Sequence, residues 1–200
     1  GTAYIFERNE GDPDNWGQVT ELVPTTPLGS GAQFGWSVAI SGGTVVIGAH
    51  YDDPSRSGSA YVFERNQGGA DTWGEVAKIT GDDTANHDEF GYAVDIAVDT
   101  IVASAYGDNS HTGAAYVFER NQDGADNWGQ VQKLTADDAV ADDRFGSSVA
   151  IAGGTVIVGA YRADDVGEDA GAVYLFGRNR GGGDNWGQVR ELSGSDTEAG

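Results

Sequence analysis

The sequence predicts an all-β protein made of tandem four-stranded units, and three observations support this. A stretch that opens with Phe-Gly recurs at Phe34, Phe90 and Phe145, at spacings of 56 and 55 residues. Each copy then runs into a Trp-Gly motif. No window places apolar residues at the 3.6-residue spacing of an amphipathic helix. A fixed period of this length is typical of stacked supersecondary units.

The first copy contains four segments with strand character, here called strands A to D, at residues 36–40, 44–49, 59–65 and 73–79. Strand A alternates apolar and polar residues, and strand B is a continuous β-branched run of the kind that is buried on both faces. Ser41-Gly42-Gly43 between them is typical of a tight hairpin. Four strands in about 55 residues indicate one blade of a β-propeller. A parallel β-helix is the alternative, and the paired hairpin turns disfavour it.

These motifs resemble the FG-GAP repeats of integrin α-subunit head domains and of many bacterial surface proteins. The FG element is the recurring Phe-Gly, and a third element, Gly-x-x-Tyr-apolar-Phe, begins at Gly58, Gly113 and Gly171, with a partial copy at Gly1. The GAP position holds Gly48-Ala49-His50, Ser104-Ala105-Tyr106 and Gly159-Ala160-Tyr161, so its proline is replaced each time. The resemblance implies a seven-bladed propeller family whose members bind partners outside the cell.

The repeat boundaries divide the chain into a half blade with strands C and D only, at 1–33, and blades at 34–89, 90–144 and 145–200. A complete blade needs one A–B hairpin and one C–D hairpin. Two such chains would carry fewer A–B than C–D hairpins, so together they would not complete seven blades. We therefore expect a segment of a larger propeller. Its uncovered sheet faces are expected to seek partners, either further blades of the same parent chain or a neighbouring subunit.

The calcium loop of many FG-GAP blades, Asp-x-Asp-x-Asp-Gly between strands A and B, is missing. Its place holds Ser41-Gly42-Gly43, Ala97-Val98-Asp99 and Ala152-Gly153-Gly154. A two-residue hairpin cannot supply the six to eight oxygen ligands that calcium takes. The usual metal site of the family is therefore not expected in these copies.

The composition excludes several function classes. The net charge is −21, with 32 acidic against 11 basic residues, which disfavours nucleic acid and anionic membranes as partners. No apolar run is long enough to span a membrane, so membrane insertion is not expected. The absence of cysteine excludes disulfides and cysteine-based zinc sites. Three hypotheses explain the acidic residues: calcium binding, adaptation to salt, or solubility.

The B–C and D–A loops of a propeller blade emerge on one face, here called the loop face. These loops carry 15 of the 32 acidic residues. In the integrins that the chain resembles, this face binds the partner, so we predict a protein or glycan ligand here. The candidate ligand-face residues are Asp52, Asp53, Asp82, Asp83, Asp108, Asp164 and Asp165. The alternative is that aspartate is frequent in turns for its own local hydrogen bonds.

One loop is the leading candidate for a metal site. Four acids fall within seven residues, at Asp137, Asp138, Asp142 and Asp143. Clustered carboxylates are the ligands that calcium prefers, so calcium is the one cofactor that the sequence suggests.

Three further motifs have structural interpretations. The tryptophan of the Trp-Gly motif is predicted to pack beside strand D, although a sugar-stacking role is the alternative. Glu-Arg-Asn, at 7–9, 64–66 and 119–121, is predicted to form a ladder or turn contact at the C–D bend, and Gly177 interrupts it in the last copy. Asp95 lies on strand A, where it either faces the central channel or makes a local hydrogen bond.

No catalytic motif is present. The three histidines, His50, His87 and His111, occupy non-equivalent positions without metal-ligand spacing, and no nucleophile elbow or phosphate loop occurs. We predict that the chain is not an enzyme. The leading hypothesis is a non-catalytic extracellular propeller segment for adhesion or protein binding, with or without a cation. The alternatives are a subunit of a surface filament or array and a carbohydrate-binding lectin.

Overall fold

A computed structural model describes residues 1–10, 13–122, 124–164, 170–180 and 182–194. These residues form fourteen strands and one helical turn, Asp108–His111. The strands are β1 Ala3–Arg8, β2 Trp16–Leu22, β3 Ser37–Ser41, β4 Thr44–Ala49, β5 Ser59–Arg65, β6 Trp73–Ile79, β7 Phe90–Ala97, β8 Thr100–Ala105, β9 Ala114–Arg120, β10 Trp128–Leu134, β11 Phe145–Ala152, β12 Thr155–Ala160, β13 Ala172–Arg178 and β14 Trp186–Ser193. No helix in this part of the chain is long and apolar enough to cross a membrane.

The strands form one two-stranded and three four-stranded antiparallel sheets. We call β1–β2 the half blade, and β3–β6, β7–β10 and β11–β14 blades 1 to 3. Within each blade the order across the sheet is A, B, C, D, as in a propeller. The all-β prediction is confirmed. Strands B, C and D of blade 1 occupy the predicted residues, and strand A begins at Ser37, one residue later than predicted.

Burial of each strand follows its sequence. Strand β4, with the sequence TVVIGA, is buried at every position, and β8 is buried likewise. These β-branched and small residues fit a strand covered on both faces. Strand β6 is half-buried at most positions, as expected for an outer strand that faces solvent. The second strand is therefore buried throughout in blades 1 and 2, whereas β12 of blade 3 alternates exposed and buried positions.

The hydrophobic core consists of three clusters that lie between consecutive sheets. The phenylalanine of each Phe-Gly motif lies at the centre of one cluster, and Phe90 and Phe145 are fully buried. The ring of Phe90 packs against Tyr116 and Phe118 of strand β9, with centroids 5.5 and 6.0 Å apart. The Phe-Gly motif and the Gly-x-x-Tyr-apolar-Phe motif therefore contact each other within one blade.

The same two motifs also join neighbouring blades. Gly58, which opens strand C of blade 1, forms a parallel bridge to Phe90 of blade 2. The Phe90 N–H donates to the Ser57 carbonyl at 2.7 Å, and the Phe145 N–H donates to the Thr112 carbonyl at 3.0 Å. Each Phe-Gly segment is thus fixed by backbone contacts to the preceding blade.

A ladder of ion pairs runs across the blades at the C–D bends. Arg65 pairs with Glu7 at 3.2 Å, Arg120 with Glu64 at 2.5 Å, and Arg178 with Glu119 at 2.8 Å. Each arginine therefore contacts the glutamate of the preceding sheet. The predicted ladder is confirmed, and Gly177 stands where the other copies carry the glutamate.

The asparagine of the Glu-Arg-Asn motif holds the C–D bend itself. Its side-chain oxygen accepts the backbone N–H of an aspartate five residues later, at 2.8 to 2.9 Å in all four copies. Both residues of each such pair have positive φ, a region that asparagine and aspartate tolerate better than most residues. The acidic residue of each bend is thus part of the turn.

Asp95 makes hydrogen bonds at the inner edge of the sheets. One carboxylate oxygen accepts the N–H of Ile96 at 2.8 Å, and the other accepts the N–H of Ile151 on blade 3 at 2.7 Å. The local hydrogen bond is confirmed. The same side chain also connects strand A of blade 2 with strand A of blade 3.

Apolar side chains are exposed on the outer face of blade 3 and in a groove between the two-stranded half blade and blade 1. Ile157 and Leu192 of blade 3 are 40% and 46% exposed, whereas the equivalent Val46 and Ile79 of blade 1 are buried beneath blade 2. A groove of about 620 Å³ between β1 and β3 is lined largely by apolar residues. These surfaces have the composition of blade-to-blade contacts.

Candidate binding site

The loop face is formed by B–C loops that pair with the D–A loop leading into the next blade. The N–H of His87 donates to the Ser55 carbonyl at 3.0 Å, and that of Glu89 donates to the Arg56 carbonyl at 3.1 Å. Between blades 2 and 3, Arg144 donates to the His111 carbonyl at 3.0 Å. The predicted ligand-face loops therefore lie side by side.

Asp52, a predicted ligand-face residue, is buried and already has two donors. Its carboxylate accepts the Tyr61 hydroxyl at 2.5 Å and lies 2.8 Å from the Lys78 ammonium. Burial favours a higher pKa, but the hydrogen bonds from Lys78 and Tyr61 outweigh it and lower the pKa of Asp52. The carboxylate therefore holds strands C and D of blade 1 to the B–C loop.

Blade 2 repeats this arrangement with one more acid. Lys133 lies between Asp83 and Asp108, at 2.7 and 2.9 Å. Tyr116 donates to the other oxygen of Asp83 at 2.8 Å. Desolvation opposes the charged ammonium, yet its hydrogen bonds to both carboxylates raise the pKa of Lys133. The ammonium group of Lys133 thus occupies the space between Asp83 and Asp108, two of the predicted ligand residues.

Blade 3 differs at the lysine position. Glu191 stands where the first two blades carry Lys78 and Lys133. Glu191 and Asp164 both have interaction partners in the structure. The lysine-centred arrangement is therefore a feature of blades 1 and 2.

Other aspartates fix the conformation of the loops. Asp53 accepts the N–H of Ser55 at 2.7 Å, and the side-chain hydroxyls of Ser55 and Ser57 also donate to its carboxylate. Asp88 accepts the Ala85 N–H at 2.6 Å, and the equivalent Asp143 accepts the Val140 N–H at 2.8 Å. These bonds are typical of aspartate in turns.

The remaining predicted residues lie at the surface. Asp82, Asp137 and Asp138 are exposed, and the N–H groups of Asp82 and Asp137 donate to Gln130 and Gln188 at 3.0 Å. Asp142 lies 3.7 Å from Arg144 and 4.0 Å from His111. Asp165 lies outside the described residues.

The four acids of the predicted metal loop do not converge. Asp143 accepts a hydrogen bond within its own turn, and Asp142 lies beside the guanidinium of Arg144. Among the described residues no three His, Asp or Glu side chains come together in a way that could hold a metal ion. Calcium binding by these residues stays a prediction.

Aromatic side chains form a continuous row across the loop face, here called the aromatic belt: Trp36, His50, Tyr51, Tyr92, Tyr106 and Tyr161. Trp36 lies 4.8 Å from His50 and 5.8 Å from Tyr92, centroid to centroid. Tyr92 stacks on Tyr106 at 4.3 Å, and the hydroxyls of Tyr106 and Tyr161 are 3.2 Å apart. The belt therefore connects all three blades.

His50 is the buried member of the belt. It is 2% exposed and touches the rings of Trp36, Tyr51 and Tyr92, and its Nδ1 has no hydrogen-bond partner among the residues that the structure describes. Burial lowers its pKa to about 4, so the imidazole is neutral at neutral pH. It supports the exposed ring of Trp36 as an apolar base.

Two arginines cover tyrosines of the belt. The guanidinium of Arg56 lies 4.7 Å from the centre of the Tyr51 ring, and that of Arg144 lies 4.8 Å from the centre of the Tyr106 ring. Glu89 lies near both arginines and near His111. Trp36 and Tyr161 keep the most open surface, each 54% exposed.

Reasoning from the sequence did not identify this belt. Five of its members follow Phe-Gly, at Trp36 and Tyr92, or replace the proline of GAP, at His50, Tyr106 and Tyr161, and the sixth, Tyr51, is the residue after His50. An aromatic residue at the GAP proline in every copy was the available signal. The Trp-Gly tryptophans differ from the belt: Trp128 and Trp186 are buried, Trp73 is half-buried and Trp16 is exposed. Packing is confirmed for the buried two.

Comparison with known families agrees with this geometry. The family model described as FG-GAP repeat matches residues 16–63, 73–118 and 128–176. Each match begins at strand D of one sheet and ends within strand C of the next blade, so it includes one D–A loop, one Phe-Gly and one GAP position. No curated protein matches the chain. The matched segments cover more than half of the chain, which therefore belongs to the FG-GAP repeat family.

Proposed function

We propose that this chain is a non-catalytic extracellular binding domain, used for adhesion or protein–protein binding, with its partner on the loop face. The observation that carries the proposal is the aromatic belt, which leaves Trp36 of blade 1 and Tyr161 of blade 3 about half exposed at its two ends. Exposed aromatic clusters of this kind are enriched in binding surfaces. Membership of a family that is generally non-catalytic and typically extracellular supports it.

The acidic surface around the belt contributes selectivity. Asp82, Asp137 and Asp138 are exposed on the same loops and carry no lysine partner of the kind seen at Asp83. Charges at the rim of an interface mainly change the association rate and the salt dependence. In this proposal they repel anionic molecules, while the belt provides the contact area.

Partners at these uncovered apolar surfaces are a separate part of the proposal. Ile157 and Leu192 on the outer face of blade 3, and Val38 and Ile40 in the groove beside the half blade, are exposed although their equivalents lie between blades. We propose that further blades, from the same parent chain or from a neighbouring subunit, cover them. Sedimentation of the chain tests this: self-association that Leu192→Lys abolishes supports neighbouring subunits, and a strictly monomeric chain favours blades of the parent chain.

Attachment of protein-coated beads to cells tests the binding function. We expect the double variant Trp36→Ala/Tyr161→Ala to reduce attachment about tenfold or more, because it removes the exposed rings. Trp16→Ala is the matched control, since Trp16 is even more exposed, at 69%, but lies on strand β2 of the half blade. Attachment that is unchanged in the double variant, or that is lost equally in the control, contradicts the proposal.

Cation dependence is tested in the same assay. Calcium and EDTA are added in parallel to beads coated with the unaltered chain. Loss of attachment in EDTA supports a cation-dependent adhesin, and equal attachment in both supports contact through the belt alone.

A further inference from the structure

We propose that the aromatic belt binds neutral sugar rings, on the exposed faces of Trp36 and Tyr161. This inference rests on the proposed function, because it names the ligand class of the same face. It assigns the binding role to the residue after Phe-Gly and to the GAP proline position, and not to the Trp-Gly tryptophans.

The exposed rings provide the stacking surface. Trp36 and Tyr161 are each 54% exposed, whereas the tyrosines of the strand C motif, such as Tyr61 and Tyr116, are completely buried. The C–H face of a sugar packs on such a ring by the same apolar and dispersion terms that act between side chains. His50 lies behind Trp36 and keeps that ring in place.

Two arginine side chains of the protein already cover tyrosines of the belt. Arg56 covers Tyr51 and Arg144 covers Tyr106, both within the distance of a cation–π contact. A positively charged ligand would therefore meet two guanidinium groups beside the open rings. This arrangement disfavours a lysine or arginine side chain of a partner as the occupant.

Anionic ligands are disfavoured by the charge of the whole molecule. The net charge of −21 repels phosphates and uronates, and Glu89 lies next to the belt. Neutral ligands do not meet this repulsion.

The polar groups beside the rings match hydroxyl groups better than an apolar peptide. The hydroxyls of Tyr106 and Tyr161 lie 3.2 Å apart, and Arg144 and Glu89 lie nearby. The two hydroxyls hydrogen-bond to each other, and together with the guanidinium and the carboxylate they keep donor and acceptor capacity for sugar hydroxyls. An apolar partner would remove these groups from water without offering new hydrogen bonds, at a cost. A few polar groups beside an apolar surface are typical of small-ligand sites.

The test follows the fluorine resonance of Trp36 in the chain labelled with 5-fluorotryptophan, assigned with Trp36→Phe. The probes are maltotetraose, cellotetraose and chitotetraose. We expect at least one of them to shift the Trp36 resonance saturably and to leave that of Trp16 unchanged. Tyr161→Ala is expected to weaken this binding about fivefold or more, and Trp16→Phe to leave it intact.

Two results would overturn the inference. One is the absence of a Trp36 shift with all three probes up to about 10 mM, a concentration that detects even weak sites. The other is a shift that Tyr161→Ala leaves unchanged. If beads attach to cells through the belt while no sugar shifts Trp36, the sugar inference fails and the binding function stands. If a sugar shifts Trp36 but the double variant Trp36→Ala/Tyr161→Ala attaches to cells as well as the unaltered chain, the proposed function fails.

Discussion

Gly58 and Phe90 are joined backbone to backbone across the first interface between complete blades. A Cβ atom on Gly58 would lie 2.2 Å from the Phe90 carbonyl oxygen, and Gly58 has φ +81°. Gly113 and Phe145 repeat this contact, at 1.9 Å, between blades 2 and 3. The Phe-Gly motif of one blade and the glycine that precedes strand C of the blade before it therefore form one backbone contact between the two blades, here called the Phe-Gly joint.

Replacing Gly58 tests this joint. Gly58→Ala is expected to destabilise the chain by about 3 kcal/mol or more, because the methyl group both clashes with backbone and requires positive φ. Gly42→Ala is the control, since Gly42 also has positive φ but has nothing within 4 Å of its Cβ position. It should cost only about 1 kcal/mol. Equal losses in urea unfolding would contradict the joint.

The buried phenylalanine ring is the second test. Phe90→Ala or Phe145→Ala is expected to cost about 3–5 kcal/mol, as for large-to-small changes in a core. Phe6→Ala is the matched comparison, because Phe6 occupies strand C of the half blade and is 52% exposed. Urea unfolding should show a much smaller loss for Phe6→Ala. If Phe90→Ala changed the free energy of unfolding by close to zero, the ring would not be central to the core.

The ion-pair ladder should contribute modestly. A double-mutant cycle of Glu64→Gln and Arg120→Met is expected to give a coupling of about 1 kcal/mol, since both side chains are only 16% exposed. The pair of Arg8 and Asp14 is the comparison, because both side chains are mostly exposed. Its coupling should be close to zero. A ladder pair that couples no better than this surface pair would show that the ladder adds nothing to blade stacking.

His50 predicts a defined dependence of stability on pH. Its folded pKa of about 4 lies below the ordinary value of 6.5, so between these pH values only the unfolded chain binds the proton. Stability should therefore fall as the pH falls through this window, by about 2–3 kcal/mol in total.

His50→Tyr isolates this effect, because blades 2 and 3 carry tyrosine at the same position. The difference in unfolding free energy between the two proteins should change between pH 7 and pH 4, with the variant gaining at low pH. His87 and His111 are present in both proteins and cancel. A constant difference would mean that His50 is as easily protonated in the folded chain as in the unfolded one.

Much of the fold could be predicted from the sequence, for local reasons. The β-branched run 44–49 and the Ser41-Gly42-Gly43 hairpin depend on neighbours in the chain, and both lie where they were predicted. The Phe-Gly joint could not be predicted in this way. It depends on the approach of Gly58 to Phe90, which belong to different sheets.

The contacts of the acidic loops could likewise be predicted only in part from the sequence. Their sequence places many carboxylates on one face, but it does not show which donors reach them. Lys133 lies 25 residues after Asp108 and 50 after Asp83, yet it bridges both. The hydrogen bonds of Asp53 and Asp88, by contrast, are local, and the preference of aspartate for turns anticipated them.

We propose that the carboxylates of the loop face hold the blades and loops, while the aromatic belt provides the binding surface. A thermal melt with calcium, and then with excess EDTA, at one fixed sodium chloride concentration tests it most directly. A ligand that binds only the folded chain raises the midpoint. We expect a difference below about 2 °C, because protein donors already occupy Asp52, Asp83 and Asp108. A fall of about 10 °C in EDTA would contradict the claim and assign these loops to structural calcium.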